Sequence, residues 1–231
     1  MKISIVTPCY NEAENIPELV ERFHKVSKKM NLELVLVNNG STDNSENILK
    51  DVASTHEYIK IVNIKKNEGY GHGITEGLKA CSGDFIGWTH ADLQTDPMDI
   101  FTAYQTLLKS DTLNIYIKGK RSGRPLLDSL LSLGMSLFET LLFQKIIFEI
   151  NAQPNIFPAH FFKSAKKTPK DFSLDLFFYT EALKKELKIV RIKTLFPSRK
   201  HGASKWNNGL LSIFKFISRV IIFSIKRRFT Y

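Results

Sequence analysis

Short runs of Ile, Val, Leu and Phe alternate with helix-patterned segments along the first half of the chain, and that alternation restricts the fold more than any other feature. Residues 3–7, 34–37, 59–64, 85–88 and 115–118 predict strands. Between them, residues 16–30, 45–54, 73–80 and 100–109 place apolar side chains three and four apart, which is one face of a helix. Asn15 with Pro17 predicts the start of the first helix, and Ser41, Thr42 and Asp43 offer a cap for the second. Repeated strand-helix-strand units imply an α/β fold whose mostly parallel sheet is flanked by helices. Ligands of such sheets lie beyond the carboxyl ends of the strands. That rule collects Pro8 to Glu12, Asn38 to Asp43 and His90 to Asp92 on one edge.

Length and charge narrow the partners. The 231 residues suit one substantial domain with an appendage, here residues 1–206 followed by a basic tail, 207–231. A net charge of +10 favours an anionic partner. The basic stretches carry no recognised nucleic-acid reader motif, so a phosphorylated substrate or an anionic membrane is expected instead. Two cysteines without metal-type spacing predict packed thiols in a reducing compartment. The amino-terminal apolar run stops at Pro8 and Lys215 and Arg219 interrupt the longest one, which predicts neither a signal peptide nor a membrane span.

The run from Trp88 to Pro97 is the richest in chemistry. If residues leaving the fourth strand stay extended, Asp92 and Gln94 share one oxygen-rich face with His90 behind them, a set that suits a hard divalent cation carrying substrate phosphates. Asp92 and Asp96 equally suit a loop that caps the following helix. Gly71, Gly73 and Gly77 are spaced one residue too long for a dinucleotide fingerprint, and no Walker ending follows. They allow either close approach of a helix start to an anionic ligand or close helix packing.

Four ordered segments, Val6-Thr7-Pro8-Cys9-Tyr10-Asn11-Glu12, Val37-Asn38-Asn39-Gly40-Ser41-Thr42-Asp43, Asn67-Glu68-Gly69-Tyr70-Gly71 and His90-Ala91-Asp92-Leu93-Gln94, resemble family 2 glycosyltransferases, most of all the dolichyl- or polyprenyl-phosphate sugar transferases. Residues 1–125 carry the likeness, and Arg199 to Lys205 resembles the family's late Arg-x-x-Gly-x-Ser element. The resemblance implies a GT-A fold with a Rossmann-like sheet and inverting sugar transfer from a nucleotide-sugar donor with Mg2+ or Mn2+. It implies that Pro8, Tyr10, Glu12, Asn39, Gly71, Ala91 and Asp92 meet the donor and that Asp92, Gln94 and His90 approach the metal. Two departures stand out. Asn38-Asn39 replaces the usual acid pair, and His90 replaces the first acid of the metal motif.

A lipid monophosphate acceptor is already anionic and needs cations to place it, whereas an alcohol needs a general base. Arg121 and Arg124 follow the fifth strand, and Arg199, Ser204 and Lys205 surround a later glycine, so these are the expected acceptor-phosphate residues, with Asp92, Arg121 and Arg199 central to catalysis. Lys118 and Lys120 are expected as solvated charges. Asp175 is expected to favour the start of a helix, and becomes the candidate base if the acceptor is an alcohol. Residues 126–150 are too apolar for one core stripe, and residues 209–231 form an amphipathic helix ending in Lys226-Arg227-Arg228, as suits a membrane interface or, alternatively, a core or subunit contact. The expected protein is thus a peripheral enzyme at the inner, cytoplasmic face of a membrane that glycosylates a lipid-linked acceptor. The alternatives are transfer to a sugar hydroxyl in surface polysaccharide synthesis and a catalytically weakened nucleotide-sugar-binding or membrane-interaction protein.

Overall fold

The computed structural model describes residues 1–197 and 210–230. In chain order the elements are β1 (Ile3–Cys9), α1 (Ile16–Ser27), β2 (Leu32–Asn39), α2 (Ser45–Ser54), β3 (Ile59–Ile64), α3 (Tyr70–Ala80), β4 (Phe85–Trp88) and α4 (Met98–Leu108). There follow β5 (Ile115–Ser122), α5 (Leu126–Phe143), β6 (Asn155–Pro158), α6 (Ala159–Ser164), α7 (Leu174–Lys184), β7 (Lys188–Leu195) and α8 (Leu210–Thr230). The strands form one seven-stranded sheet ordered β3-β2-β1-β4-β6-β5-β7. β1 is parallel to β2 and β4, β2 to β3, and β5 to β7, while β6 runs antiparallel to β4 and β5. The sheet is mostly parallel, as expected, with one reversed strand joining two parallel blocks.

Alternate residues of β2 serve opposite faces. Leu34 and Leu36 pack with Leu19, Phe23 and Leu49 on one side, and Val35 and Val37 with Ile74, Leu78 and Phe178 on the other. All four are fully buried, each worth about 1.5–3 kcal/mol relative to exposure. α1 buries Ile16, Leu19, Val20, Phe23 and Val26 at helical spacing, with Pro17 in its first turn. Asn15 occupies the N-cap position but makes no capping bond, donating instead to Glu12 Oε2 at 2.6 Å. A Cβ on Gly77 would lie 2.4 Å from Val6 and 2.8 Å from Val37, so glycine lets α3 approach β1 and β2. Burial pushes both thiols up, Cys81 to about 12, which fits packing rather than reactivity.

Sequence patterning misses β6 and β7 for physical reasons. β6 has four residues and ends in Pro158, too short for a periodic signal. β7 lies at one edge of the sheet, and its Lys188, Arg191 and Lys193 read in sequence as a basic surface run.

α5 exposes a row of leucines, from Leu126 at 76% through Leu130, Leu133 and Leu137 to Leu141 at 70%. α8 lies against it and exposes Ile222, Ile225 and Phe229. Ser224 donates to Glu139 across the pair, and burial lifts the Glu139 carboxyl to about 7. The terminal basic cluster differs from expectation. Arg227 pairs with Glu181, donates to Thr180 and lies 4.7 Å from the Phe177 ring, and Arg228 donates to Leu142 O at 2.9 Å. Those two arginines dock the helix, and Lys226 remains exposed. Among the described residues no helix is long and apolar enough to cross a membrane.

Candidate active site

Loops at the carboxyl ends of β1, β2 and β4 converge, as the parallel register requires. Asn11, at φ +57°, donates from its backbone to Ser41 Oγ (3.1 Å) and accepts from the Thr42 backbone N–H (2.8 Å). The Glu12 backbone donates to Ser45 Oγ, and that of Ala13 to Asp43 Oδ2. Asp43 Oδ1 also accepts the Ser45 backbone N–H at 3.0 Å, while the N-cap position itself is Asn44. Burial pushes the Asp43 carboxyl up, but these hydrogen bonds outweigh it and hold it below its ordinary value. Pro8 lies in register with Val37 and Cys9 with Asn38, so the chain carrying Tyr10 and Glu12 and that carrying Asn39 leave neighbouring strand ends.

The two asparagines that replace acids are buried donors. Asn38 Nδ2 donates to Asn63 Oδ1 at 3.3 Å while its Oδ1 accepts the Ser41 backbone N–H, and Asn39 Nδ2 donates to Gly69 O at 3.2 Å. A carboxylate at position 39 has no proton to give to the Gly69 carbonyl, so an amide suits that position. Gly71 lies under the chain at 169–171, where a Cβ would meet Pro169 O at 2.4 Å.

After β4 the chain does not continue extended. Leu93 adopts φ +60°, Gln94 donates its backbone N–H to Asp92 Oδ1 at 3.2 Å, and Thr89 and Thr95 hydroxyls close the loop at 2.9 Å. The alternate-residue geometry expected for Asp92 and Gln94 thus ends at Trp88, and a turn brings them together. Asp92 is 5% exposed, Ala91 is buried beside it, and Gln94 Nε2 donates to Pro197 O at 2.8 Å. Asp96 Oδ1 accepts the Met98 backbone N–H at 2.9 Å, while the N-cap position of α4 is Pro97, without a side-chain cap. Among the described residues no three His, Cys, Asp or Glu side chains cluster as a metal cage.

His90 belongs to a row of rings that sequence reasoning missed. Phe172 stacks on Tyr70 at 4.7 Å, Tyr70 lies 6.4 Å from His90, His90 lies 6.3 Å from Phe196, and the Arg121 guanidinium stands 5.6 Å from Phe196. The row runs from the Asp92 loop to the end of β5. Its members are far apart in sequence, which leaves no local pattern to find.

Beneath it lies a buried polar network. Lys118, expected in solvent, has no exposed surface; its ammonium donates to Asn155 Oδ1 and to Ile150 O (2.9 Å) and stands over the Tyr116 and Tyr179 rings. Asp175 lies in the first turn of α7, as expected of a carboxylate at a helix start, but makes no cap and is 1% exposed. Its Oδ1 accepts from Gln153 Nε2 (2.9 Å) and Asn155 Nδ2 (3.1 Å), and Gln153 also donates to Tyr70 OH. Burial pushes the Lys118 ammonium well below its ordinary range and the Asp175 carboxyl above its own, each opposed by the other's charge.

Arg121 is 9% exposed and pairs with Glu149 at 2.6 Å. Arg124 donates to Ser132 Oγ at 2.8 Å, and burial, then the Arg121 charge, lowers its pKa. Lys120 is exposed, as expected. Arg191, unsuspected from sequence, donates to Gly119 O, Glu149 O and Tyr179 OH. Arg199, Ser204 and Lys205 lie outside the described residues.

Comparison with known proteins adds to this geometry. The model of glycosyl transferase family 2 matches residues 4–168. An undecaprenyl-phosphate 4-deoxy-4-formamido-L-arabinose transferase from Proteus mirabilis is 36% identical over 102 residues, 43% of this chain and 31% of that protein. A dolichol-phosphate mannosyltransferase from Pyrococcus furiosus is 29% identical over 150 residues, 63% of this chain and 42% of that protein. The chain thus spans between about a third and two fifths of the length of these relatives. Among solved structures, glucosyl-3-phosphoglycerate synthase from Mycobacterium tuberculosis with Mn2+, UDP-glucose and phosphoglyceric acid superposes with a TM-score of 0.76, at 16% identity, over 98% of this chain and 79% of that one. A mannosyltransferase from Pyrobaculum calidifontis with GDP-Man and Mn2+ gives a TM-score of 0.65, at 20% identity, over 87% and 58%. The fold is therefore the GT-A type expected.

Proposed function

The chain belongs to glycosyl transferase family 2, and on that premise we propose that it moves a sugar from a nucleotide-sugar donor, with inversion, to a polyprenyl phosphate or other lipid-linked acceptor. The observation that carries this reading is the contrast between Asp175 and Arg121. Asp175, the carboxylate weighed as a base for an alcohol, is 1% exposed, holds two amide donors and faces Lys118. It is poorly placed to take a proton from a hydroxyl. Arg121 and Arg124 instead offer forked donors suited to a phosphate that needs no base.

On the donor side Pro8, Tyr10, Glu12, Asn39, Gly71 and Ala91 are assigned to the nucleotide sugar, and Asp92 to its diphosphate. The chemistry of the donor set fits a divalent cation, Mg2+ or Mn2+, held chiefly by diphosphate oxygens with Asp92 as its protein carboxylate and His90 and Gln94 beside it. When bound, that cation neutralises charge developing on the leaving diphosphate. Asp92 is fixed before any ligand arrives by the Gln94 backbone bond. Arg121, Arg124, Arg199, Ser204 and Lys205 are assigned to the acceptor phosphate.

The exposed leucines of α5, together with Ile222, Ile225 and Phe229 of α8, support a peripheral position on a membrane, for which the inner face is the assignment that goes with a lipid acceptor. Transfer from radiolabelled UDP-, GDP- and CDP-sugars to undecaprenyl phosphate with Mn2+ tests the proposal. Label in a lipid product released by mild acid is expected. An acid-stable product, or transfer to undecaprenol as readily as to its phosphate, would overturn it.

A further inference from the structure

Arg121 is gripped on two sides by residues with no assigned role. Its Nε donates to Glu149 Oε2 at 2.6 Å, and its guanidinium carbon stands 5.6 Å from the centre of the Phe196 ring. We propose that Glu149 and Phe196 are positioning residues that clamp the Arg121 guanidinium for the acceptor phosphate. The inference rests on the reading of Arg121 given above.

A carboxylate beside a phosphate-binding arginine needs a reason. An arginine has five N–H donors, and Glu149 takes the one on Nε, which leaves the terminal nitrogens that form a bidentate fork. Arg121 and Arg124 also repel one another, and Glu149 offsets that repulsion. An arginine on a flexible stem loses side-chain freedom when it binds, so a guanidinium held beforehand costs less to engage.

Both jaws are themselves fixed. Glu149 sits at φ +51°, a conformation that needs support in a non-glycine residue, and its carbonyl accepts from Arg191 Nη1 and the Ala152 backbone N–H. Arg191 also stacks on Phe148 at 4.3 Å, which holds the preceding residue. Phe196 donates its backbone N–H to Ser122 O at 3.0 Å, and the next carbonyl, Pro197 O, accepts from Gln94. Its ring centre also lies 6.3 Å from that of His90. Phe196 therefore connects the Asp92 loop to Arg121 through one side chain, which would set the distance between donor and acceptor anions.

The test is binding of undecaprenyl phosphate against undecaprenol, both in detergent micelles, by microscale thermophoresis on the full chain. The ratio of the two affinities reports the phosphate alone. Glu149→Ala should lower the ratio by about ten-fold and Glu149→Gln, which keeps a weaker hydrogen bond, by less. Phe196→Leu should lower it several-fold, with Phe196→Tyr restoring it. An undiminished or higher ratio in both Glu149→Ala and Phe196→Leu overturns the clamp. If Glu149→Ala does not fold, Glu149→Gln and the Phe196 pair decide the matter. Arg121→Ala separates this from the parent reading: an unchanged ratio there removes the phosphate role of Arg121 itself, whereas a lost ratio there with intact clamp variants removes only the clamp.

Discussion

The two blocks of the sheet hold their loops in place by different chemistry. Around β1 to β4, the ties at the loops are mostly between neutral groups: Asn11 with Ser41 and Thr42, Asn38 with Asn63, Asn39 with Gly69, and Thr89 with Thr95, the Asp43 carboxylate adding Ala13 and Ser45. Around β5 to β7 the ties are buried charges, with Lys118 and Asp175 joined through Asn155 and Arg121 paired with Glu149. The neutral block suits a donor that brings its own cation and anion. The charged block suits an anion delivered alone, since desolvated cations attract phosphate most strongly where their own positions are already fixed.

The sharpest break between the blocks comes from one residue. Asp92→Ala should abolish transfer while the thermal midpoint stays within a few degrees of the parent, as followed by radiolabel transfer and circular dichroism; retained turnover would remove the donor block from the chemistry. The next largest effect is on stability. Lys118→Met alone should cost about 3–5 kcal/mol in urea denaturation, because it strands a buried carboxylate, and Lys118→Met with Asp175→Leu should recover much of it. A single variant within about 1 kcal/mol of the parent would mean the pair is not charged in the folded protein.

Those contrasts also separate what the sequence discloses from what it hides. The strands and helices of the first block are legible because each motif directly follows its own strand, so local periodicity and the rule of carboxyl ends suffice. Even there, the left-handed turn at Leu93 defeats the extended reading of Asp92 and Gln94. In the second block, Lys118 alternates with surface bases in sequence and only the arrival of Asn155 and Asp175 shows that it is buried. Arg227 and Arg228 look like a membrane-binding cluster until Glu181 and the Leu142 carbonyl are seen to hold them. Contacts between residues tens of positions apart leave no spacing to read.

Smaller effects are expected at the surface. Leu133→Glu with Leu137→Glu should weaken binding to anionic vesicles by about ten-fold in a flotation assay while undecaprenyl phosphate in detergent still binds. Unchanged flotation would assign the α5 face to something other than lipid. The last effect lies on β2, at Glu33, which pairs with Lys2. Burial pushes the Glu33 carboxyl up, but hydrogen bonds from Ser4, Ser82 and Lys2 bring it down to about 2 from the ordinary 4.5. A depressed carboxyl stabilises the fold above its unfolded value and loses that contribution as pH falls through the folded one. Glu33→Gln should therefore melt lower than the parent at neutral pH, with the two melting curves converging as pH falls from about 4.5 towards 2. A gap that widens as pH falls towards 2 would contradict the sign.

Donor and acceptor anions are expected to meet between Asp92 and Arg121, and anomalous diffraction from crystals soaked with Mn2+ and a nucleoside diphosphate would locate them. One strong manganese peak is expected in contact with the Asp92 carboxylate, with the diphosphate on the same side as Arg121. A peak elsewhere, or a diphosphate bound away from the Asp92 loop, would contradict it.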